Sequence, residues 1–242
     1  MAHSHLLAIL LITVGGQAAA GDRVAVDVEL VLAADTSKSM VDNERRDQVD
    51  GYAQAFRDPE VIAGITSGRT GRIAVTYVEW SEEQRVIVPW TLIYDAGSAE
   101  RFAAALARAP IYQHHDGTNI GGALGFCAGA LRENEFDGAR LVIDISGDGQ
   151  DNSDSPPDRV RDEIGSQGIT INGLPLDIEE SVDPYFTKSA EAKRLDQRSG
   201  PIDAYYRDHV IGGRDSFFLV AKSMNDFGRM LRLKLMREIA AR

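Results

Sequence analysis

Residues 35–39 read Asp-Thr-Ser-Lys-Ser. The carboxylate of Asp35 and the alternate hydroxyls of Ser37 and Ser39 present oxygens only, a donor set that suits a hard divalent cation. Mg²⁺ is the expected ion, with Mn²⁺ and Ca²⁺ as alternatives. Two more oxygen-bearing side chains stand far along the chain in comparable places. Thr118 lies just ahead of a helical pattern, and Asp148 lies inside the turn Gly147-Asp148-Gly149. No residue is assigned to bond making. Gly-x-Ser-x-Gly and Gly-x-x-x-x-Gly-Lys-Ser/Thr patterns are absent, and no Ser-His-Asp arrangement offers a credible base near Ser37.

These oxygens need elements to hold them. Residues 28–34 form a nearly unbroken apolar run, as in strands buried on both faces, within a first strand at 24–34. Val49, Tyr52, Ala53 and Phe56 then recur at three- and four-residue spacing, as on one face of a helix that ends near Asp58-Pro59. The acid and hydroxyls therefore fall in a strand-to-helix turn, where open α/β sheets bind ligands. Residues 72–80, 84–92, 139–146, 169–176 and 217–221 read as further strands. The strand at 84–92 is expected at an antiparallel edge, because its connection is too short for a crossover and it contains Pro89.

Helical patterns begin at Ser98 as N-cap, at Ile120, and at Ser155 with Pro156-Pro157. A closing helix opens with the capping-box spacing of Ser223 and Asp226 and carries the stripe Phe227, Met230, Leu231, Leu235 and Ile239. Residues 177–214 are irregular, with short helical patches at 190–195 and 202–209, and read as an insertion on the same domain. The alternation predicts an α/β fold: a doubly wound, mainly parallel, Rossmann-like sheet with one antiparallel edge strand and helices on both faces. If the first strand and the one at 139–146 are neighbours, Asp35, Ser37, Ser39, Thr118 and Asp148 meet at the switch point of the sheet.

The 242 residues, 43% hydrophobic, suit one domain with a full core. A formal net charge of −11 makes nucleic acid and anionic membrane surfaces poor partners. Residues 6–14 form a short apolar core, and Ala18-Ala19-Ala20 gives a small-x-small site. Residues 1–20 thus read as a secretory signal peptide, although the start lacks Lys and Arg. The expected mature domain, 21–242, is exported to the periplasm or the extracellular space. No later apolar stretch reaches membrane-spanning length.

Other chemistry-bearing residues have plainer readings. Cys127, the single cysteine, falls on an apolar helix face and reads as a buried small hydrophobe. Asp144, inside a strand, reads as a buried acid paired to a neighbour. Asp151 and Asp154 read as solvated turn acids. His114-His115 reads as a surface loop, since adjacent residues seldom ligate one ion. Trp80, Trp90, Tyr205 and Tyr206 read as packing residues. Arg229, Arg232, Lys234, Arg237 and Arg242 read as a solvated face of the closing helix.

Asp-x-Ser-x-Ser with a distant Thr and Asp resembles the metal-ion-dependent adhesion site (MIDAS) of von Willebrand factor type A domains. Gly71 to Val75, Glu79-Trp80, Val88-Pro89-Trp90, Tyr205-Tyr206-Arg207-Asp208 and Ile211-Gly212-Gly213 resemble a secreted bacterial subfamily of that fold. The resemblance implies that Ser37, Ser39 and Thr118 coordinate the cation, while Asp35 and Asp148 hold it from the same shell or through waters. It also implies an open coordination position filled by an Asp or Glu carboxylate of a protein ligand. Lys38 departs from the pattern, which often has glycine there. Its ammonium would either repel the cation or attract an acidic ligand.

The leading expectation is a secreted, metal-dependent, adhesion-type protein-binding module rather than an enzyme. A metal-dependent hydrolase of phosphate esters is the alternative, although a phosphoryl-transfer pair would place a second acid two residues after Asp35, where Ser37 stands. A structural domain with a vestigial metal site is the third reading.

Overall fold

The strand expected across 24–34 is two strands, β1 (Val24–Val26) and β2 (Glu29–Asp35). Between them Asp27 turns aside, and its carboxylate accepts from the Thr70 backbone N–H at 2.9 Å. β1 pairs in parallel with β5 (Phe136–Gly138), a three-residue element too short to show a period in sequence. The chain is seen in a computed structural model that describes residues 23–37, 39–40, 42–110, 117–177 and 201–240. The expected signal peptide, Lys38, His114, His115, the patch at 190–195 and Arg242 lie outside the described residues.

β2 is buried along its whole length and forms the centre of a five-stranded sheet ordered β4-β3-β2-β6-β7. Its parallel neighbours are β3 (Ile73–Trp80) and β6 (Leu141–Gly147). β7 (Ile169–Pro175) continues the parallel set, and β4 (Gln84–Ile93) closes the other edge antiparallel to β3, as its short connection and Pro89 predict. The period of two along β2 divides its side chains between two cores. Leu30, Leu32 and Ala34 face one side, and Val31 and Ala33 face the other.

On the first face lie α1 (Asp42–Ala55), α2 (Pro59–Thr66), α3 (Ala96–Arg108) and the closing helix, α7 (Met224–Ala240). The sequence stripes are buried there: Val49, Tyr52, Ala53 and Phe56 meet Phe227, Leu231 and Leu235. Tyr52 packs edge-on against Tyr77 and Phe227, with ring centroids 5.3 and 5.8 Å away. Gly51 permits this approach, because a Cβ there would lie 2.9 Å from the Phe227 ring.

The second face carries α4 (Ile120–Arg132), α5 (Pro157–Gly165) and a segment from the expected insertion. That segment is a single helical turn, α6 (Ile202–Tyr205), running into a π-helical turn, Tyr206–Val210. Cys127 is fully buried among Ile120, Leu124 and Leu131, and burial pushes its thiol up to about 12.

Three local readings change. Asp95, not Ser98, caps α3; Ser98 sits at the third helical position and completes a reciprocal capping box. Residues 217–221 run beside β7 through single bridges at Phe218 and Ala221 without forming a continuous strand. Pro175 lacks the N–H that a continuous ladder would require there. Lys234 is not solvated: it is fully buried, 2.6 Å from Asp144 and 2.6 Å from Glu238. Asp144 is accordingly the paired buried acid that its place in a strand suggests.

Candidate metal centre

The parallel pairing of β2 with β6 sets the turn after Asp35 beside the turn after Gly147. Asp35 is the last residue of β2 and is fully buried. Its Oδ1 accepts from the Ser37 backbone N–H at 2.7 Å, which curls the chain so that Ser37 and Ser39 come together. The two hydroxyls are 3.0 Å apart, and Ser39 Oγ donates to Asp148 Oδ1 at 2.5 Å. Four of the five expected residues thus form one continuous contact chain across two strand ends.

Thr118 comes from the third segment. Its backbone N–H donates to Asn152 Oδ1 at 2.8 Å, and its carbonyl accepts from Asn152 N at 3.0 Å. These bonds hold it against the loop that carries Asp148; a Cβ placed on Gly149 would lie 3.6 Å from Thr118 Oγ1. All three expected segments therefore converge on the same end of the sheet.

The surrounding residues fix this geometry, and several were not singled out from sequence. Gln48 of α1 donates to the Asp35 carbonyl at 3.0 Å and accepts from Ser146 Oγ at 3.1 Å. Gln48 lies four residues before buried Tyr52, so its place on an apolar helix stripe was the available signal. Asp151 is not a solvated turn acid: its Oδ2 accepts from the Ile120 and Gly121 N–H groups at 2.7 and 3.3 Å, beside the α4 N-cap Asn119. Tyr205, from the insertion, accepts from the Asp151 N–H at 3.2 Å.

Electrostatically, the turn sets the buried Asp35 carboxylate close to that of Asp148. Burial first, and then repulsion from Asp148, push Asp35 up to about 7, while hydrogen bonds from Ser37 act in the opposite direction. Asp35 Oδ2 is buried without a hydrogen-bond partner among the described residues. A divalent cation would supply the positive charge that offsets both effects. Among the described residues, no three His, Cys, Asp or Glu side chains form a metal-holding group. The candidate centre rests instead on hydroxyls flanked by two acids, a composition that fits a hard divalent cation better than a soft one.

The sheet order and two-sided helical cover define a von Willebrand factor type A-like domain, and solved structures share that fold. A von Willebrand factor type A structure from Catenulispora acidiphila is 18% identical with a TM-score of 0.55, covering 89% of this chain and 43% of its own. Proximal thread matrix protein 1 from the mussel byssus, solved with a zinc-occupied MIDAS motif, is 15% identical with a TM-score of 0.54, covering 88% and 48%. BatB from Bacteroides thetaiotaomicron, a conserved hypothetical protein, is 14% identical with a TM-score of 0.52, covering 89% and 100%. This chain spans about half the length of the mussel and Catenulispora structures. Comparison with curated proteins finds no match. Residues 25–242 match the family described as Protein of unknown function (DUF1194), and the chain belongs to it.

Proposed function

We propose that this protein is an exported protein-binding module of the adhesion type, whose grip depends on a divalent cation held by Ser37, Ser39, Thr118, Asp35 and Asp148. The observation that carries this reading is the contact chain from Ser37 through Ser39 to Asp148 above a buried Asp35 whose second oxygen has no partner among the described residues. The fold-mate from mussel byssus, described with a zinc-occupied MIDAS motif, supports a divalent ion at such a site. Mg²⁺ is the ion this donor chemistry favours.

A bound cation supplies a positive charge and a coordination position for an outside ligand. The protein's own residues determine how much of that charge remains available. Three neutral hydroxyls offset little of it, so an incoming Asp or Glu carboxylate is strongly attracted. The chain's overall charge of −11 opposes the approach of an acidic partner at long range, which makes recognition local and salt-sensitive. No helix among the described residues is long and apolar enough to cross a membrane.

Calorimetric titration of Mg²⁺, Mn²⁺ and Ca²⁺ into the chain and its Asp35→Ala variant tests the ion. A pull-down from envelope extract with and without EDTA tests the partner. Ion binding and EDTA-sensitive capture by wild type, both lost in Asp35→Ala, are expected. Absence of heat and of thermal stabilisation in the wild type would point to a vestigial site.

A further inference from the structure

Around Gly147, Asp35 Oδ2 is joined by two polar atoms that the site described above does not use, Tyr206 Oη and Trp80 Nε1. Asp35 Oδ2, Tyr206 Oη and Trp80 Nε1 are all buried without hydrogen-bond partners among the described residues. They gather around the bare face of Gly147. A Cβ built there would lie 2.8 Å from Asp35 Oδ2, 2.8 Å from Tyr206 Oη and 3.0 Å from Trp80 Cζ2, the ring carbon beside the one bonded to Nε1. Trp80 is also the strand partner of Asp35. Each of the three residues is fully buried.

Their chemistry is complementary. A phenol O–H and an indole N–H are donors, and the carboxylate oxygen is an acceptor. Buried polar groups left unpaired are costly, so three in one place mark a site whose geometry is completed by something besides packing. Tyr206 reaches this point because it begins the π-helical turn Tyr206–Val210, and such turns recur at functional sites. Tyr205, beside it, already bonds the loop that follows Asp148.

We propose that Tyr206 is a positioning residue of the metal centre: its hydroxyl, with Trp80 Nε1 as second donor, holds Asp35 Oδ2 through a buried water. Gly147 is the bare backbone that admits the arrangement. The insertion thereby supplies a supporting wall that the Asp-x-Ser-x-Ser turn does not contain, and Tyr206 acts through Asp35 rather than on the ion. This inference rests on the cation-binding reading above.

The test compares the full chain with its Tyr206→Phe variant, which keeps the ring and removes only the hydroxyl. Mg²⁺ and Mn²⁺ affinities are measured by calorimetry, ion-free melting by calorimetric scan, and the two indole N–H signals by NMR. The expected result is an affinity about tenfold weaker, the lower end of what loss of a supporting hydrogen bond costs a metal site. The ion-free melting temperature is expected to be unchanged or higher, because an unpaired buried hydroxyl has been removed. The Trp80 indole signal should shift on ion addition in wild type and shift less in Tyr206→Phe, with Trp90 as internal reference.

An affinity within twofold of wild type overturns the positioning role and leaves the ion site standing. Weaker affinity accompanied by a clearly lower ion-free melting temperature overturns it in favour of a packing role. A wild type that takes up neither ion overturns both the ion site and this inference.

Discussion

Replacing Lys234 with Met removes the one ammonium from a buried group of three charges. Lys234 Nζ lies 2.6 Å from Asp144 Oδ1 and 2.6 Å from Glu238 Oε1, and none of the three residues is more than 2% exposed. Asn172 donates a further hydrogen bond to Glu238 Oε1 at 2.9 Å. Methionine fills the volume but leaves two carboxylates facing each other away from water. Breaking a buried pair in this way costs about 3–5 kcal/mol, a large share of the roughly 5–15 kcal/mol that stabilises a typical domain. At about 2–4 °C per kcal/mol for a chain of this size, the melting temperature should fall by roughly 10 °C.

Urea unfolding at several pH values measures both the loss and its origin. Burial, then repulsion from Asp144, push Glu238 up to about 7 from its ordinary 4.5. Between those pH values the folded state keeps a proton that the unfolded chain releases, so stability is greatest in acid and falls as pH rises through about 7. Lys234→Met should steepen that fall, because the ammonium that holds the Glu238 carboxyl down is then gone. Adding Asp144→Leu should recover more than half of the loss, since the remaining carboxyl can stay neutral beside Asn172. A loss below about 1 kcal/mol with an unchanged denaturant slope would refute the reasoning, for it would mean that the ammonium does not compensate two buried acids.

Asp35→Asn should raise ion-free stability by about 1–2 kcal/mol, because it removes a buried charge opposite Asp148, and should abolish the gain in melting temperature on adding Mg²⁺. Gly51→Ala should destabilise by about 1–3 kcal/mol in urea unfolding, the overlap with the Phe227 ring outweighing the roughly 1 kcal/mol gain in helix propensity. A generic phosphate ester with Mg²⁺ or Mn²⁺ should show no turnover; turnover abolished by Asp35→Ala would move the protein to the hydrolase class.

The sheet was legible because strands buried on both faces leave a continuous apolar signature, and the 28–34 run is the clearest of these. The short 81–83 connection and Pro89 were enough to place β4 at the edge. Asp35, Ser37, Ser39, Thr118 and Asp148 were legible as oxygens in equivalent loops; the pairing of β2 with β6 brings the first three and Asp148 to one end of the sheet, and bonds to Asn152 hold Thr118 there. What sequence did not reveal was partnership at a distance. Lys234 and Glu238 sit one helical turn apart on the buried side of α7, but a lysine in a basic run reads as solvated until Asp144 is seen opposite. Asp151 looked like one more surface acid, because nothing local shows that the N-terminus of α4 lies above it. Tyr206 belonged to a segment with no clean period, so its position beneath Asp35 had no signature.

The site and the core make opposite demands on the same strand. β2 is stabilised by apolar contact on both faces, and its last residue places an acid in that same dry environment. Three unpaired polar atoms around Gly147 each cost on the order of 1–3 kcal/mol by the usual penalty for such groups, and Asp35 also faces the charge of Asp148. A cation that binds only the folded chain returns stability that grows with the logarithm of its concentration above Kd, about 2.7 kcal/mol at a hundredfold excess. The unfavourable terms are concentrated at the mouth of the sheet, while the central residues Leu30 to Ala33 remain fully packed. Such a domain can remain folded without its ion and still gain measurable stability when the ion arrives. A vestigial site would show no such gain, because its residues would have been free to drift toward neutral or apolar replacements.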